Sequence, residues 1–273
     1  YARVLAQYPD RLKAPFRRFT VGPVWRADKP GPGRFREFVQ LDADVAGAPP
    51  IAADADIIAV MAAIMQALGV TDYRIQINHR GLVDALLAHC GIDEVARQKH
   101  VLRVVDKLDK VGLEKVRQEL GPGRVDESGD PIPGVKLDED TIGKLVAFIE
   151  TDVTSRRGVV DALRAQLPAG KDAETALDQM TELAGALDAL GVAEAHAVFA
   201  PSLARGLDYY TGPVFEMMLP GAPEFGSVMG GGRYDALVTR FAPQGIPCTG
   251  MSVGLDRLVA ALQHLGALPE AAT

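Results

Sequence analysis

The segment Phe35–Val45 alternates strictly between two kinds of residue. Phe35, Val39, Leu41, Ala43 and Val45 face one way, and Arg36, Phe38, Gln40, Asp42 and Asp44 face the other. A period of two is the signature of an extended strand with one apolar and one polar face, and a helix cannot satisfy it. The preceding Phe16–Ala27 is rich in Phe, Val, Thr and Trp and reads as a second strand. Between them, Asp28-Lys29-Pro30-Gly31-Pro32-Gly33 is a chain breaker. The two strands therefore form a long hairpin with a flexible, basic tip, and the rest of the fold must be built around it.

The remaining pattern supplies both strands and helices. Helical spacing with a Gly69 stop predicts a helix over Ala52–Leu68, with acids in its first turn. Tyr73–Asn78 alternates as a strand, and a short helix follows over 81–89. Residues 90–170 change character: Val95–Leu108, Leu113–Leu120, Asp138–Glu150 and Ser155–Leu167 are short amphipathic helices separated by Gly/Pro loops. Beyond a helix over Ala173–Leu190 and a short strand at 197–199, Tyr209–Leu219 and Phe225–Met229 read as an antiparallel pair. Gly230-Gly231-Gly232 reads as a tight bend, Tyr234–Arg240 as a helix, Thr249–Val253 as a strand and Leu255–Leu265 as a closing helix. Strands at both ends with helices in the middle argue for an α+β fold on a mainly antiparallel sheet. The expected division is a core of 1–89 and 171–273 with a helical insertion over 90–170.

Several function classes fall away. The longest unbroken apolar run, Ile57–Met65, is short for a membrane span, so no membrane association is expected. Cys90 and Cys248 match no metal or redox spacing and suit reduced thiols in the cytoplasm. The histidines at 79, 89, 100, 196 and 264 form no metal-binding pair, so no protein metal site is expected. Phosphate-cradling glycine loops of the GxGxxG or GxxxxGK[ST] kind are missing. A net charge of −7 does not suit non-specific nucleic-acid binding, yet residues 1–40 hold nine Lys/Arg against three acids. Residues 97–117 hold seven Lys/Arg against three acids; they face either a phosphate backbone or, more commonly for such runs, solvent.

Four constellations carry chemistry. On the polar face of the second strand, Gln40 and Asp44 suit a substrate amine, and Phe38 beside arginines suits a flat base above a phosphate chain. A solvated sheet face is the commoner alternative. The second is Arg205-Gly206-Leu207-Asp208-Tyr209-Tyr210-Thr211-Gly212-Pro213-Val214-Phe215-Glu216, where neighbouring tyrosines on a strand would face opposite ways. The third is Gly230-Gly231-Gly232-Arg233-Tyr234-Asp235, whose glycines allow close backbone approach. The fourth is Gly250-Met251-Ser252-Val253-Gly254-Leu255-Asp256-Arg257-Leu258, which puts an arginine on the first turn of a helix.

Taken together and in this order, the four resemble the histidyl-tRNA synthetase family of class II aminoacyl-tRNA synthetases. Gly22-Pro23-Val24-Trp25-Arg26 and Gly33-Arg34-Phe35-Arg36-Glu37-Phe38-Val39-Gln40 look like its second class motif, and Gly250–Leu258 like the third. The resemblance runs over nearly all of the chain. It implies a class II antiparallel sheet flanked by helices, with an all-helical subdomain inserted. It also implies ATP-dependent activation of histidine, with Mg²⁺ on the departing phosphates, and transfer to the 3′ end of tRNA(His) by a full-length homodimer.

By the same resemblance Arg26, Arg205 and Arg257 are catalytic. Arg26 would hold the ATP α-phosphate and the histidine carboxylate, and Arg205 would stand against the α-phosphate. Arg34 would bind the β- and γ-phosphates. Phe38 would stack on adenine, with Arg257 on its other side. Gln40 and Asp44 would hold the amino group and the imidazole, and Tyr209, Tyr210 and Tyr234 would complete the histidine pocket. The first class motif and the anticodon-binding domain have no counterpart in the 273 residues, so a catalytic-domain fragment is expected. A catalytically inactive relative, the regulatory subunit of ATP phosphoribosyltransferase, shares the fold but tends to lose the catalytic arginines, all three of which are present here.

Overall fold

The computed structural model describes residues 1–27, 29–151, 154–204, 209–241 and 245–268. Its strands are β1 (Phe16–Trp25), β2 (Glu37–Ala46), β3 (Arg74–His79), β4 (Gly123–Val125), β5 (Pro131–Pro133), β6 (Ala197–Phe199), β7 (Pro213–Met218), β8 (Met229–Arg233) and β9 (Cys248–Gly254). Seven of them form one sheet in the order β1-β2-β9-β8-β7-β3-β6. The helices are α1 (Ala2–Gln7), α2 (Pro50–Ala67), α3 (Arg80–His89), α4 (Val95–Val105), α5 (Leu108–Val111), α6 (Leu113–Leu120), α7 (Glu139–Ile149), α8 (Arg156–Gln166), α9 (Lys171–Ala189) and α10 (Leu255–His264).

The hairpin predicted from periodicity is the backbone of the sheet. β1 and β2 pair antiparallel with Arg18 opposite Asp44, Thr20 opposite Asp42 and Gly22 opposite Gln40. β9 continues the rows, placing Gly250 beside Asp44 and Ser252 beside Asp42. β8 then places Gly232 beside Gly250 and Gly230 beside Ser252. Directly opposed residues project from the same face of a sheet. Two transverse rows result, Arg18-Asp44-Gly250-Gly232 and Thr20-Asp42-Ser252-Gly230. Each carries polar groups at one end and missing side chains at the other.

The strand boundaries differ from expectation in two informative places. Gly230-Gly231-Gly232 is part of β8, not a bend. A Cβ on Gly231 would stand 2.1 Å from the Gly250 carbonyl, so the absent side chains let strands and neighbouring groups approach. Tyr209 and Tyr210 precede β7 rather than belonging to it. They do not face opposite ways, and their rings lie 4.3 Å apart at a tilt of 37°.

The chain divides into two compact units. The first comprises 1–77, 182–198 and 208–273, and the second 78–181 and 199–207. In the first, Ile57, Ile58, Met61 and Met65 of α2 are buried, as are Ile75, Ile77, Phe215, Met251 and Val253 of the strands. Helix α2 begins with Pro50 at its first position, where a missing N–H costs nothing. That start is earlier than the spacing predicted, so Asp54 lies beyond the first turn. It is fully buried and ion-paired with Arg233 of β8. By length and mean hydropathy α2 would also suit a membrane span, although the apolar run read from sequence falls short of one.

The second unit is mainly helical among its described residues and carries the short β4–β5 hairpin, which forms within segments that read as loops. Asp138 caps α7 through the Thr141 amide at 2.8 Å, and Ser155 caps α8 through the Gly158 amide at 3.1 Å. Buried Glu119 on α6 accepts from Lys107 at 2.7 Å and Arg124 at 2.8 Å.

Candidate active site

The two rows of the sheet open into a cavity of about 410 Å³ in the first unit. Asp42 and Asp44 of β2, Arg18 of β1 and Ser252 of β9 line it, together with Tyr209, Tyr210 and Tyr234. Glycines create the hollow. A Cβ at Gly250 would stand 2.2 Å from Asp44 Oδ1, and one at Gly232 would stand 2.8 Å from the Tyr210 ring. Any side chain at either place would fill the space beside the carboxylate or displace the tyrosine.

Asp44 is the electrostatic centre. The Tyr234 hydroxyl donates to its Oδ1, and the Arg18 guanidinium is ion-paired with its Oδ2 at 2.9 Å. Burial raises the Asp44 carboxyl above its ordinary range, while Tyr234 and Arg18 pull it down. Burial, reinforced by Asp44, pushes the Tyr234 phenol far up, so it remains a neutral donor. Tyr210 is likewise raised, by burial first and then by Tyr209. The cavity thus offers carboxylate acceptors, Asp44 and Asp42, beside neutral hydroxyls, a set that includes what a small ring bearing an N–H and a lone pair needs.

The walls come from several elements. Helix α1, which the sequence did not suggest, packs with Tyr234, Val238 and Cys248 in a buried cluster that Tyr1 and Tyr210 border. The Arg18 guanidinium lies 4.4 Å from the Tyr1 ring centroid. Behind the cavity, Arg233 is held by Asp54 at 2.8 Å and by Asp235 at 3.1 Å, and Asp235 also accepts the Cys248 amide at 2.8 Å. This lock fixes the backbone on both sides of Tyr234. Burial pushes the Asp54 carboxyl up to about 6 against the pull of Arg233, and it pushes the Cys248 thiol up to about 12.

A second group of expected residues gathers at the hairpin tip. The Arg26 guanidinium lies 5.3 Å from the centroid of the Phe38 ring, on the surface expected for a base. Arg257 donates to the Gly33 carbonyl at 2.9 Å and to the Ser227 carbonyl at 2.7 Å. Gly33 has φ +59°, and a Cβ there would stand 2.8 Å from Arg257 Cγ, so the tip is shaped around this arginine. The neighbouring Asp256 accepts the Val39 amide at 2.6 Å and ties the start of α10 to β2. Arg34 is exposed at the tip. Gln40 sits on the cavity face of β2 opposite Gly254 but does not line the cavity. Arg205 lies outside the described residues.

Sequence reasoning passed over Arg18, Asp42, Ser252 and Tyr1. Arg18 carried a signal: in a hairpin centred on Gly31, Arg18 and Asp44 are equidistant from the turn and must pair. Tyr1 and Ser252 carried none, because their place depends on how distant segments pack.

Comparison with known proteins bears on the family and the fold. A family model described as histidyl-tRNA synthetase matches residues 1–258. The histidine–tRNA ligase of Paracoccus denitrificans is 45% identical over 97% of this chain and 56% of its own length. That of Bartonella henselae is 42% identical over 98% of this chain and 57% of its own. The chain therefore spans little more than half the length of these relatives. Among solved structures, histidyl-tRNA synthetase from Nostoc sp. PCC 7120 superposes with a TM-score of 0.83 at 28% identity, over 98% of this chain and 59% of that one. A Bacillus halodurans protein described as an ATP phosphoribosyltransferase regulatory subunit/histidyl-tRNA synthetase gives 0.76 at 27%, over 96% and 62%.

Proposed function

The chain belongs to the histidyl-tRNA synthetase family, and from that premise we propose that it carries the amino-acid-activating site of a histidine–tRNA ligase. A carboxylate oxygen of histidine attacks the α-phosphorus of ATP. The new C–O–P bond replaces the bond from the α-phosphorus to the bridging oxygen, and pyrophosphate leaves. The 3′-terminal ribose hydroxyl of tRNA(His) then takes the histidyl group and releases AMP. The observation that carries this reading is the Arg18-Asp44-Tyr234 cluster inside a cavity whose floor is glycine.

Asp44 accepts the imidazole N–H, and the neighbouring tyrosine hydroxyls bond the other ring nitrogen. A ring lacking these nitrogens would leave buried polar groups unpaired, which penalises it heavily. The attack brings two anions together, so charge neutralisation and alignment supply the catalysis. Arg26, Arg205 and Arg257 are the permanent cations for that task, with Arg34 on the outer phosphates and Phe38 under adenine. Arg26 now covers Phe38, so nucleotide binding requires the two to part. Mg²⁺ arrives with ATP on its phosphate oxygens; among the described residues no group of three His, Cys, Asp or Glu stands ready to hold a metal. For a homodimer of the whole protein, the exposed Phe19, Val21 and Trp25 of edge strand β1 offer an apolar surface.

The regulatory-subunit reading has its support in the Bacillus halodurans likeness. Retention of Arg26, Arg205 and Arg257 favours catalysis. Amino-acid-dependent exchange of pyrophosphate into ATP by the protein separates them. Histidine alone among the standard amino acids should support exchange. Histidine binding without exchange would establish the regulatory reading instead.

A further inference from the structure

The hairpin tip is anchored at one point. Of residues 29–36 only Gly33 is buried, and two side chains distant in sequence close on it. A Cβ there would stand 2.9 Å from the Phe225 ring and 2.8 Å from Arg257 Cγ. The next residue, exposed Arg34, donates its amide to the Gly31 carbonyl at 2.9 Å, so the turn is closed where that side chain leaves it. Phe225 is itself braced. It ends a short turn, Pro223–Phe225, in the connection from β7 to β8. Its ring lies 5.6 Å from that of His264 on α10, and His264 Nε2 lies 3.0 Å from Glu224 Oε1. Gly221 of the same connection packs on Leu265, which a Cβ would approach to 2.9 Å. The two side chains on Gly33 differ in what else they must do. Arg257 is a cation that the nucleotide draws on, whereas Phe225 has no charge and no polar atom to offer a phosphate. It can hold the tip whether or not nucleotide is bound.

Resting on the histidine-activating reading, we propose that Phe225 is a positioning residue, which seats the hairpin tip and sets Arg34 in place for the β- and γ-phosphates of ATP before they arrive. A loop ordered in advance spares the ligand the entropy of ordering it, and the saving appears as affinity. Only a ligand that reaches the tip gains from it. ATP does so through its outer phosphates. AMP, which ends at its α-phosphate, and histidine do not.

Calorimetric titration with ATP and Mg²⁺, with AMP and with histidine tests this in two variants. Phe225→Ala should weaken ATP binding about 3- to 10-fold and leave AMP and histidine binding as in the wild type. Phe225→Leu, which keeps an apolar contact on Gly33, should lie closer to wild type than to Phe225→Ala. Loss of structure alone would move all three ligands together. Equal losses for ATP and AMP, or no loss for ATP, would overturn the assignment while leaving the histidine-activating reading intact. Wild-type protein that bound neither ATP nor histidine would overturn both.

Discussion

Tyr234 does two things with one hydroxyl. It satisfies a buried carboxylate, and it holds that carboxylate in one orientation within the cavity. Removing the hydroxyl in Tyr234→Phe should raise KM for histidine about 10- to 100-fold, the equivalent of about 1.5–3 kcal/mol for a bond to a charged group. KM for ATP should stay unchanged in exchange kinetics. Because the Tyr234 bond favours the ionised carboxylate, its loss lets burial raise Asp44 further. The defect should therefore deepen as pH falls. At this scale the sequence was legible wherever a side chain's direction followed from strand period: Phe38, Gln40 and Asp44 do share a face. The tyrosines were legible as a set but not in their stacking, because Tyr209 and Tyr210 sit outside the strand that would have separated them.

Among the elements, the β1–β2 hairpin follows directly from its alternation and its Pro/Gly tip. β8 was misread because glycine runs commonly mark turns, whereas here they make room for Tyr210, Phe215 and the neighbouring strands. The first acids of α2 were read as helix-terminus charges, yet Asp54 serves the Arg233 lock from inside the core. In the second unit, Glu119 joins α6 to Arg124 of β4 and to Lys107. Burial works to raise its carboxyl, but the Lys107 and Arg124 hydrogen bonds outweigh that and lower it below its usual 4.5. A lowered carboxyl stabilises the fold above its unfolded-state value and loses that contribution as pH falls through the folded one. Glu119→Gln should thus cost about 2 kcal/mol at pH 7 in urea unfolding. The gap to wild type should close as pH falls below about 4.5, and a gap that widened there would contradict this ion pairing.

For the whole molecule, net charge conceals its distribution. The excess of cations in residues 1–40 supplies the hairpin tip and Arg18. The basic run over 97–117 is in good part paired internally, through Lys107–Glu119, Lys115–Glu127 and Arg117–Glu139. Fold class was legible because strands and helices segregate along the chain. The cavity was not, because it is made by residues absent as well as present, and by α1 folding back beside Tyr234. The central claim is that this cavity holds the imidazole of histidine between Asp44 and the tyrosines. Diffraction from the protein crystallised with histidine and a non-hydrolysable ATP analogue tests it most directly. The ring N–H should lie within hydrogen-bonding distance of Asp44, with adenine on Phe38 and Arg26 displaced from that ring. Histidine bound with its ring away from Asp44, or adenine elsewhere than on Phe38, would contradict the account.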